Sequence, residues 1–324
     1  MPKWLGNRFG DMLSSGDAGG SGVFNSFDQY AKSRLDTWVA IPISATGGNQ
    51  NPSSGLEPGN GYRYHIFTSP GTFTVSDAGN QGGTIDYLLI AGGGGGGNDD
   101  GGGGGAGGYL EIPGHTVTAQ GYPISIGGGG NGGGNGEDGS NGSPSTGFSA
   151  TAFGGGGGSD SSGDGKDGGS GGGAYSNRDG RQVGDGSGYP APNQQGFPGG
   201  VNPEPFQPSA GGGGGAGGAG THNGESGDQP GGNGGVGKAA FSGDTGVPNS
   251  YGEAGPSPGR WFAGGGAGGG RTPTASQGGV GGGGSLGSAG DTNTGGGGAG
   301  GNGAISDRSG KAGGSGICIV RYQI

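Results

Sequence analysis

The stretch Tyr87-Leu88-Leu89-Ile90-Ala91 runs without a turn residue into an unbroken glycine tract, Gly92 to Gly97. An apolar run suited to a buried strand is followed by backbone that has no side chains to bury. The pattern recurs at Ile124-Ser125-Ile126 before Gly127 to Gly130, at Ala152-Phe153 before Gly154 to Gly158, and at Trp261-Phe262-Ala263 before Gly264 to Gly266. Of the 105 glycines in 324 residues, 15 lie in residues 1–91 and 90 in the 233 that follow, so the composition changes at about residue 92. Contiguous tracts with only 19 prolines exclude a collagen triple helix, which needs glycine at every third position.

A glycine tract is either disordered or organised by its peptide groups. High glycine and proline content without a period is a mark of disorder, whereas the short β-like runs beside these tracts favour order. An extended tract can adopt the left-handed, three-residue polyproline II type of helix, which has no internal hydrogen bonds. Buried N–H and C=O groups must then pair sideways with other tracts. Ordering a residue costs roughly 1–2 kcal/mol of backbone entropy, most for glycine. A peptide hydrogen bond returns only about 0.5–1.5 kcal/mol net. A lone tract therefore cannot hold together, and many tracts side by side can.

Three segments are expected along the chain. Residues 1–42 form a leader in which Phe24, Phe27, Ala31 and Leu35 recur at helical spacing, with Ser26 and Gln29 at capping-box spacing. This predicts a short helix over about 26–36, whose apolar stripe must dock on its own chain, a copy or another protein. Residues 43–61 read as a polar linker. In 62–324, strands are predicted at 62–68, 72–75, 84–91, 109–112, 115–119, 122–126, 148–153 and 316–322. The fold class expected is mostly β: a small β-sandwich from 62–153, closed by the C-terminal strand 316–322. It is continued by a bundle of polyglycine II helices with long loops within 92–315.

Charge and motifs narrow the function. The formal net charge of -10, with 14 scattered Lys and Arg, lacks the basic stripe that binding to nucleic acid requires. No apolar run approaches the length of a membrane span, and the first residues lack the apolar region of a secretory signal. The single cysteine, Cys318, sits in the apolar run Ile317 to Val320 and reads as a core residue. His65, His115 and His222 are far apart in sequence and suggest no zinc site. Gly232-Asn233-Gly234-Gly235-Val236-Gly237-Lys238 has phosphate-loop spacing, but Ala239 stands where a magnesium-binding hydroxyl belongs. Gly133 to Asp138 matches the start of a calcium β-roll repeat without tandem copies. Acidic tips at Asp99-Asp100 and at Asp160 to Asp167 could hold calcium loosely. No catalytic constellation is visible, so neither enzymatic activity nor a cofactor is expected.

The informative residues are aromatic and basic side chains in the long loops between tracts, because loops carry recognition on a rigid scaffold. Candidate receptor contacts are Tyr175, Arg178, Arg181 and Tyr189 in one loop, and Tyr251 and Trp261 in another that also holds Arg260. Phe197, Phe206 and Phe241 are expected to lock these loops against the scaffold instead.

Three pieces resemble a known family: Phe67-Thr68-Ser69-Pro70-Gly71-Thr72-Phe73-Thr74-Val75, then Tyr87 to Gly94, and finally Gly313-Gly314-Ser315-Gly316-Ile317-Cys318-Ile319-Val320-Arg321-Tyr322. In this order, around a long glycine region, they are similar to the glycine-rich domain of tailed-phage structural proteins and tail fibres. The leader, with Trp4 to Gly10 and Phe27-Asp28-Gln29-Tyr30 before Trp38, is similar to the N-termini of marine-phage virion proteins. More loosely, the chain resembles fibre-tip adhesins built as a sandwich of polyglycine helices. It departs from them in its leader and in the β-rich start of its domain. The resemblance implies a non-enzymatic virion protein on the particle exterior, a tail-fibre or appendage component whose loops meet a host surface receptor. It also implies a homo-oligomer, with a trimer favoured, attached to other virion proteins by the leader through Trp4, Phe9, Phe24, Phe27, Tyr30, Leu35 and Trp38. The alternative is a purely structural decoration protein of capsid or tail.

Overall fold

Strands dominate the computed structural model, which describes residues 40–160, 163–176, 194–202, 209–222, 230–272, 274, 276–303 and 307–324. The chain divides into two units, Met1–Ile41 and Pro42–Ile324, and the account below concerns the second. The helix expected over 26–36 lies outside the described residues. Fourteen short strands follow one another: β1 (Ser44–Thr46), β2 (Tyr62–Phe67), β3 (Gly71–Asp77), β4 (Thr84–Ile90), β5 (Tyr109–Thr116), β6 (Gly121–Ile124) and β7 (Ser145–Gly147) come first. Then come β8 (Ala150–Ala152), β9 (Ala174–Ser176), β10 (Val201–Asn202), β11 (Lys238–Ala239), β12 (Glu253–Ala254), β13 (Arg260–Phe262) and β14 (Ile317–Gln323). The only helical turn among the described residues is a 3-10 turn at Ala240–Gly243.

The largest sheet has the order β2-β14-β4-β5 and is antiparallel throughout. The C-terminal strand therefore lies in the middle, with Ile319 opposite both Ile66 and Leu88. This sheet is covered on both faces, which is why β4 and β14 read as continuous apolar runs rather than alternating ones. The period of two still sorts their side chains. Tyr87, Leu89, Cys318, Val320 and Tyr322 join one hydrophobic cluster, while Leu88, Ile90, Ile317 and Ile319 join another. The first cluster is completed by Ala45, Phe73, Val75 and Ile124 from a second antiparallel sheet of order β1-β3-β6. Cys318 is fully buried there, and burial pushes its thiol far above the ordinary range, as suits an inert core residue.

Two strand expectations need correction. The runs 109–112 and 115–119 are one strand, β5, carried through Pro113 and Gly114. The register slips opposite Asp86, whose Oδ1 accepts the Gly114 N–H at 3.0 Å, and Gly114 takes the positive φ of 65° that the bulge requires. Proline is tolerated because β5 is an edge strand. The run 148–153 is likewise not one strand. Phe148 and Ser149, with φ of 51° and 62°, form the turn between β7 and β8. The left-handed backbone of Phe148 is held by its ring, which stacks on Tyr87 at 4.7 Å and meets Tyr122 at 5.3 Å.

Beyond Ile90 the backbone pairs in a different way. N–H groups of Gly92, Gly95 and Asn98 donate to Ser143, Ser140 and Glu137, and those of Gly93, Gly96 and Asp99 to Gly314, Lys311 and Arg308. Those of Gly94 and Gly97 donate to Gly105 and Gly102, so each neighbouring segment is met at every third residue. The carbonyls repeat this in further directions: Gly92 and Gly95 accept from Gly155 and Gly158, Gly93 and Gly96 from Gly130 and Gly133, and Gly94 and Gly97 from Gly298 and Gly301. The tract 101–108 behaves alike, with Gly102, Gly105 and Gly108 donating to Ser159, Gly156 and Phe153. Residues 91–98 and 100–109 are buried although almost none carries a side chain beyond Cβ. Tracts approach so closely that a Cβ on Gly92 would lie 2.0 Å from the Gly128 carbonyl oxygen, and one on Gly94 2.1 Å from that of Gly156. Glycine is required here by space.

The outer tract 127–134 provides the internal control. A Cβ on Gly213 would meet the Gly104 oxygen at 2.0 Å and one on Gly156 the Lys166 oxygen at 1.8 Å, whereas one on Gly128 meets nothing within 4 Å. We expect Gly213→Val and Gly156→Val each to cost about 3 kcal/mol or more, because backbone cannot yield as a side chain can. Gly128→Ala is expected to be neutral or to stabilise by up to about 1 kcal/mol. Urea unfolding of the three variants checks this, and equal stabilities would mean that the tracts are not packed as described.

Candidate functional site

Between β11 and β13 the chain leaves the tracts and builds a loop that closes on itself. Successive positive φ values at Phe241 (49°), Ser242 (56°) and Gly243 (88°) turn it outward just after β11. The strained backbone at Phe241 is held by its buried ring, which lies 4.2 Å from the Arg321 guanidinium and edge-on to Tyr64. On its other side Arg321 lies 4.4 Å from the Tyr62 ring.

Asp244, the next residue, is the clamp. Its Oδ2 accepts from Arg321 Nη1 and, at 2.5 Å, from the Tyr64 hydroxyl. Its Oδ1 accepts from Asn60 Nδ2 at 3.0 Å and from the Gly246 N–H at 2.8 Å. Arg321 completes its fork on Asp86 Oδ2, with Nε and Nη2 each at 3.0 Å. Burial by itself would raise the Asp244 carboxyl, but the hydrogen bonds from Tyr64 and Gly246 and the Arg321 charge outweigh it, and the pKa falls below the usual aspartate value. Burial, with the adjacent carboxylate, pushes the Tyr64 phenol up to about 12. The loop is thus fastened to β2, β4 and β14 by charge-assisted bonds.

Farther out, Arg260 folds the loop back by donating from Nε to the Tyr251 carbonyl at 2.8 Å and from Nη2 to that of Gly252 at 2.5 Å. Trp261 covers Gly255, where a Cβ would come within 2.1 Å of the indole, and its Nε1 donates to the Ser257 carbonyl at 3.3 Å. These contacts enclose a shallow cleft of about 430 Å³ lined in part by Thr245, Asn249, Pro256, Ser257, Pro258 and Arg260.

Residues 67–323 match the glycine-rich domain family. The chain belongs to this family. The glycine-rich domain so defined begins at the last residue of β2, ends at the last residue of β14, and contains every tract and the cleft-forming loop. No curated protein matches the chain.

Of the receptor candidates, Tyr251 and Trp261 meet in this one loop of the glycine-rich domain. Tyr251 is half-buried against the second hydrophobic cluster, and Trp261 is half-buried over Gly255. Tyr175 lies elsewhere, on β9, where its N–H donates to Ser159 Oγ at 2.8 Å. Arg178, Arg181 and Tyr189 lie outside the described residues, as do Trp4, Phe9, Phe24, Phe27, Tyr30, Leu35 and Trp38. Phe241 is a lock, as expected of it; Phe206 is outside the described residues. The clamp and Arg260 were not singled out as sites, although a signal existed for the clamp: Asp86 and Arg321 are the charges inside two runs that otherwise read as buried.

Other motifs are absorbed by the scaffold. In the phosphate-loop lookalike, Gly232, Gly234, Gly235 and Gly237 donate their N–H groups to Ala210, Gln277, Gly213 and Val280, leaving no amide cradle for an anion. Asp99 pairs with Arg308 at 2.9 Å, and Asp100 with Arg271 at 3.0 Å. Among the described residues no group of three or more His, Cys, Asp or Glu could hold a metal ion, and no helix is long and apolar enough to cross a membrane.

The clamp has a pH signature. A carboxylate whose pKa is lowered on folding contributes stability in full above its unfolded value of about 3.9 and loses it as pH falls through the folded value. Asp244→Asn is expected to cost about 2–3 kcal/mol near neutrality, less than the roughly 3–5 kcal/mol for breaking a fully buried pair. It should also flatten the acid side of the stability curve, read by urea unfolding from about pH 6 to about pH 2.

Proposed function

We propose that this chain is a non-enzymatic virion protein, a tail-fibre or appendage component on the particle exterior that presents loops for attachment to a host surface. The tracts are polyglycine II helices packed as a bundle, and the two larger sheets form a small β-sandwich at its end. The three-residue repeat of hydrogen-bond partners supports the first assignment, and the hydrophobic cluster shared by both sheets supports the second. The leader, residues 1–42, attaches the chain to other virion proteins, and copies assemble as a homo-oligomer, with a trimer favoured. A host surface receptor is met by the loops that hold Tyr175, Arg178, Arg181, Tyr189, Tyr251 and Trp261.

The observation that carries this reading is the division of labour in the backbone. Peptide groups of the tracts are consumed by one another, whereas the loop 244–260 is pinned at Asp244 and Arg260 around an open cleft. A scaffold spent entirely on its own cohesion, with a stiff and side-chain-rich loop built out from it, suits display better than chemistry.

Particles in which residues 245–258 are replaced by a short Gly-Ser linker, with Asp244 and Arg260 kept, test the assignment. Assembly should be normal and adsorption to host cells should fall at least about tenfold, as expected when recognition anchors are removed. Unchanged adsorption, both with this replacement and with removal of 177–193, would sink the attachment role and leave the structural decoration role.

A further inference from the structure

The cleft in the 244–260 loop contains a cation without a counterion. Arg260 is half-buried and lines the cleft, yet it forms no ion pair among the described residues. Its Nε and Nη2 are committed to the Tyr251 and Gly252 carbonyls, which fixes the plane of the guanidinium and leaves Nη1 without a protein acceptor. The neighbouring carboxylate on the paired strand, Glu253, is engaged elsewhere, since its Oε2 accepts the N–H groups of Gly281 and Gly282 at 2.7 and 2.9 Å. In a chain of net charge -10, an oriented arginine left unpaired in a cleft is conspicuous.

The rest of the lining is mixed in a regular way. Thr245, Asn249 and Ser257 are exposed and offer hydroxyl and amide groups, while Pro256 and Pro258 offer rigid apolar faces between them. At about 430 Å³ the cleft is in the range of small-ligand sites, roughly 300–1,000 Å³. Hydroxyl partners beside apolar ring faces match a sugar ring, and a free guanidinium edge matches a carboxylate or phosphate borne on it. We propose that the cleft binds an anionic saccharide, with Arg260 holding its acidic group and Asn249 and Ser257 its hydroxyls. This rests on the attachment role above and specifies the chemistry of what is attached to.

The test is titration of the purified full chain by calorimetry with three probes of equal length: a glucuronate oligosaccharide, a phosphorylated glucose oligosaccharide and the neutral glucose oligosaccharide. Binding of one or both acidic probes, at least about tenfold tighter than the neutral one and weakened by salt, is the expected result, and the preferred acidic probe tells carboxylate from phosphate. Arg260→Gln should abolish it. Because that variant also gives up two bonds inside the loop, Asn249→Asp serves as a second probe: it makes no side-chain bond in the described structure, and its new charge should repel the ligand without lowering the melting temperature. Equal binding of acidic and neutral probes, binding of inorganic phosphate alone, no binding at all, or binding that survives both variants would each overturn the inference. Loss of adsorption on replacing 245–258, combined with no saccharide binding, would overturn it while leaving the attachment role standing.

Discussion

Lateral hydrogen bonding between glycine tracts is the constraint on which everything else in this fold depends. A tract has no side chains to remove from water, so it gains cohesion only when its N–H and C=O groups meet those of its neighbours. The partners of Gly92 to Asp99 change with every residue and return every third one, which spreads the bonds of one tract over several others. A network of this kind tolerates no Cβ on its interior, since the gap between backbones is already filled by carbonyl oxygens. It is also cooperative, because a tract on its own loses more in backbone entropy than its bonds return.

The sheet of β2, β14, β4 and β5 joins this network to an ordinary side-chain core. One face supplies Tyr87, Leu89 and Val320 to the cluster shared with the second sheet, while the other supplies Leu88, Ile90 and Ile319 to a cluster that includes Ala106, Ala216, Phe262 and Ala263. These last residues flank or interrupt glycine tracts. At Ile90 the backbone still pairs in the plane of a sheet, and from Gly92 onward it pairs around the whole chain axis. The change from a period of two to a period of three occurs within two residues, where apolar side chains end.

The same sheet supports the candidate site. Arg321 and Asp86, at the polar ends of β14 and β4, reach Asp244 and fasten the loop far along the chain, and Tyr64 and Asn60 contribute from the other side. Rigidity at the base of the loop lets its outer part be shaped by few contacts, chiefly the two bonds from Arg260 and the indole of Trp261 over Gly255. A recognition surface held this way loses little freedom on binding.

Much of the scaffold was legible from residue types. The strands at 62–67, 71–77, 84–90 and 317–323, the buried Cys318 and the need for tracts to pack side by side all follow from apolar runs and from glycine's missing Cβ. The turn at Phe148 was not legible, because its left-handed backbone is held by the rings of Tyr87 and Tyr122, which sit elsewhere in the sequence. The candidate loop could be located by its aromatic residues, but not the commitment of Arg260 to two carbonyls or the engagement of Glu253 away from it. By itself the sequence determined which segments could be strands and which could lie in the glycine network, because those properties belong to single residues and their spacing. Only the tertiary structure decided which tract meets which, that β14 lies in the centre of its sheet, and that the loop closes around a cleft. Glycines are identical to one another, so a tract encodes no choice of neighbour, and that choice is made by the strands, turns and ion pairs at its ends.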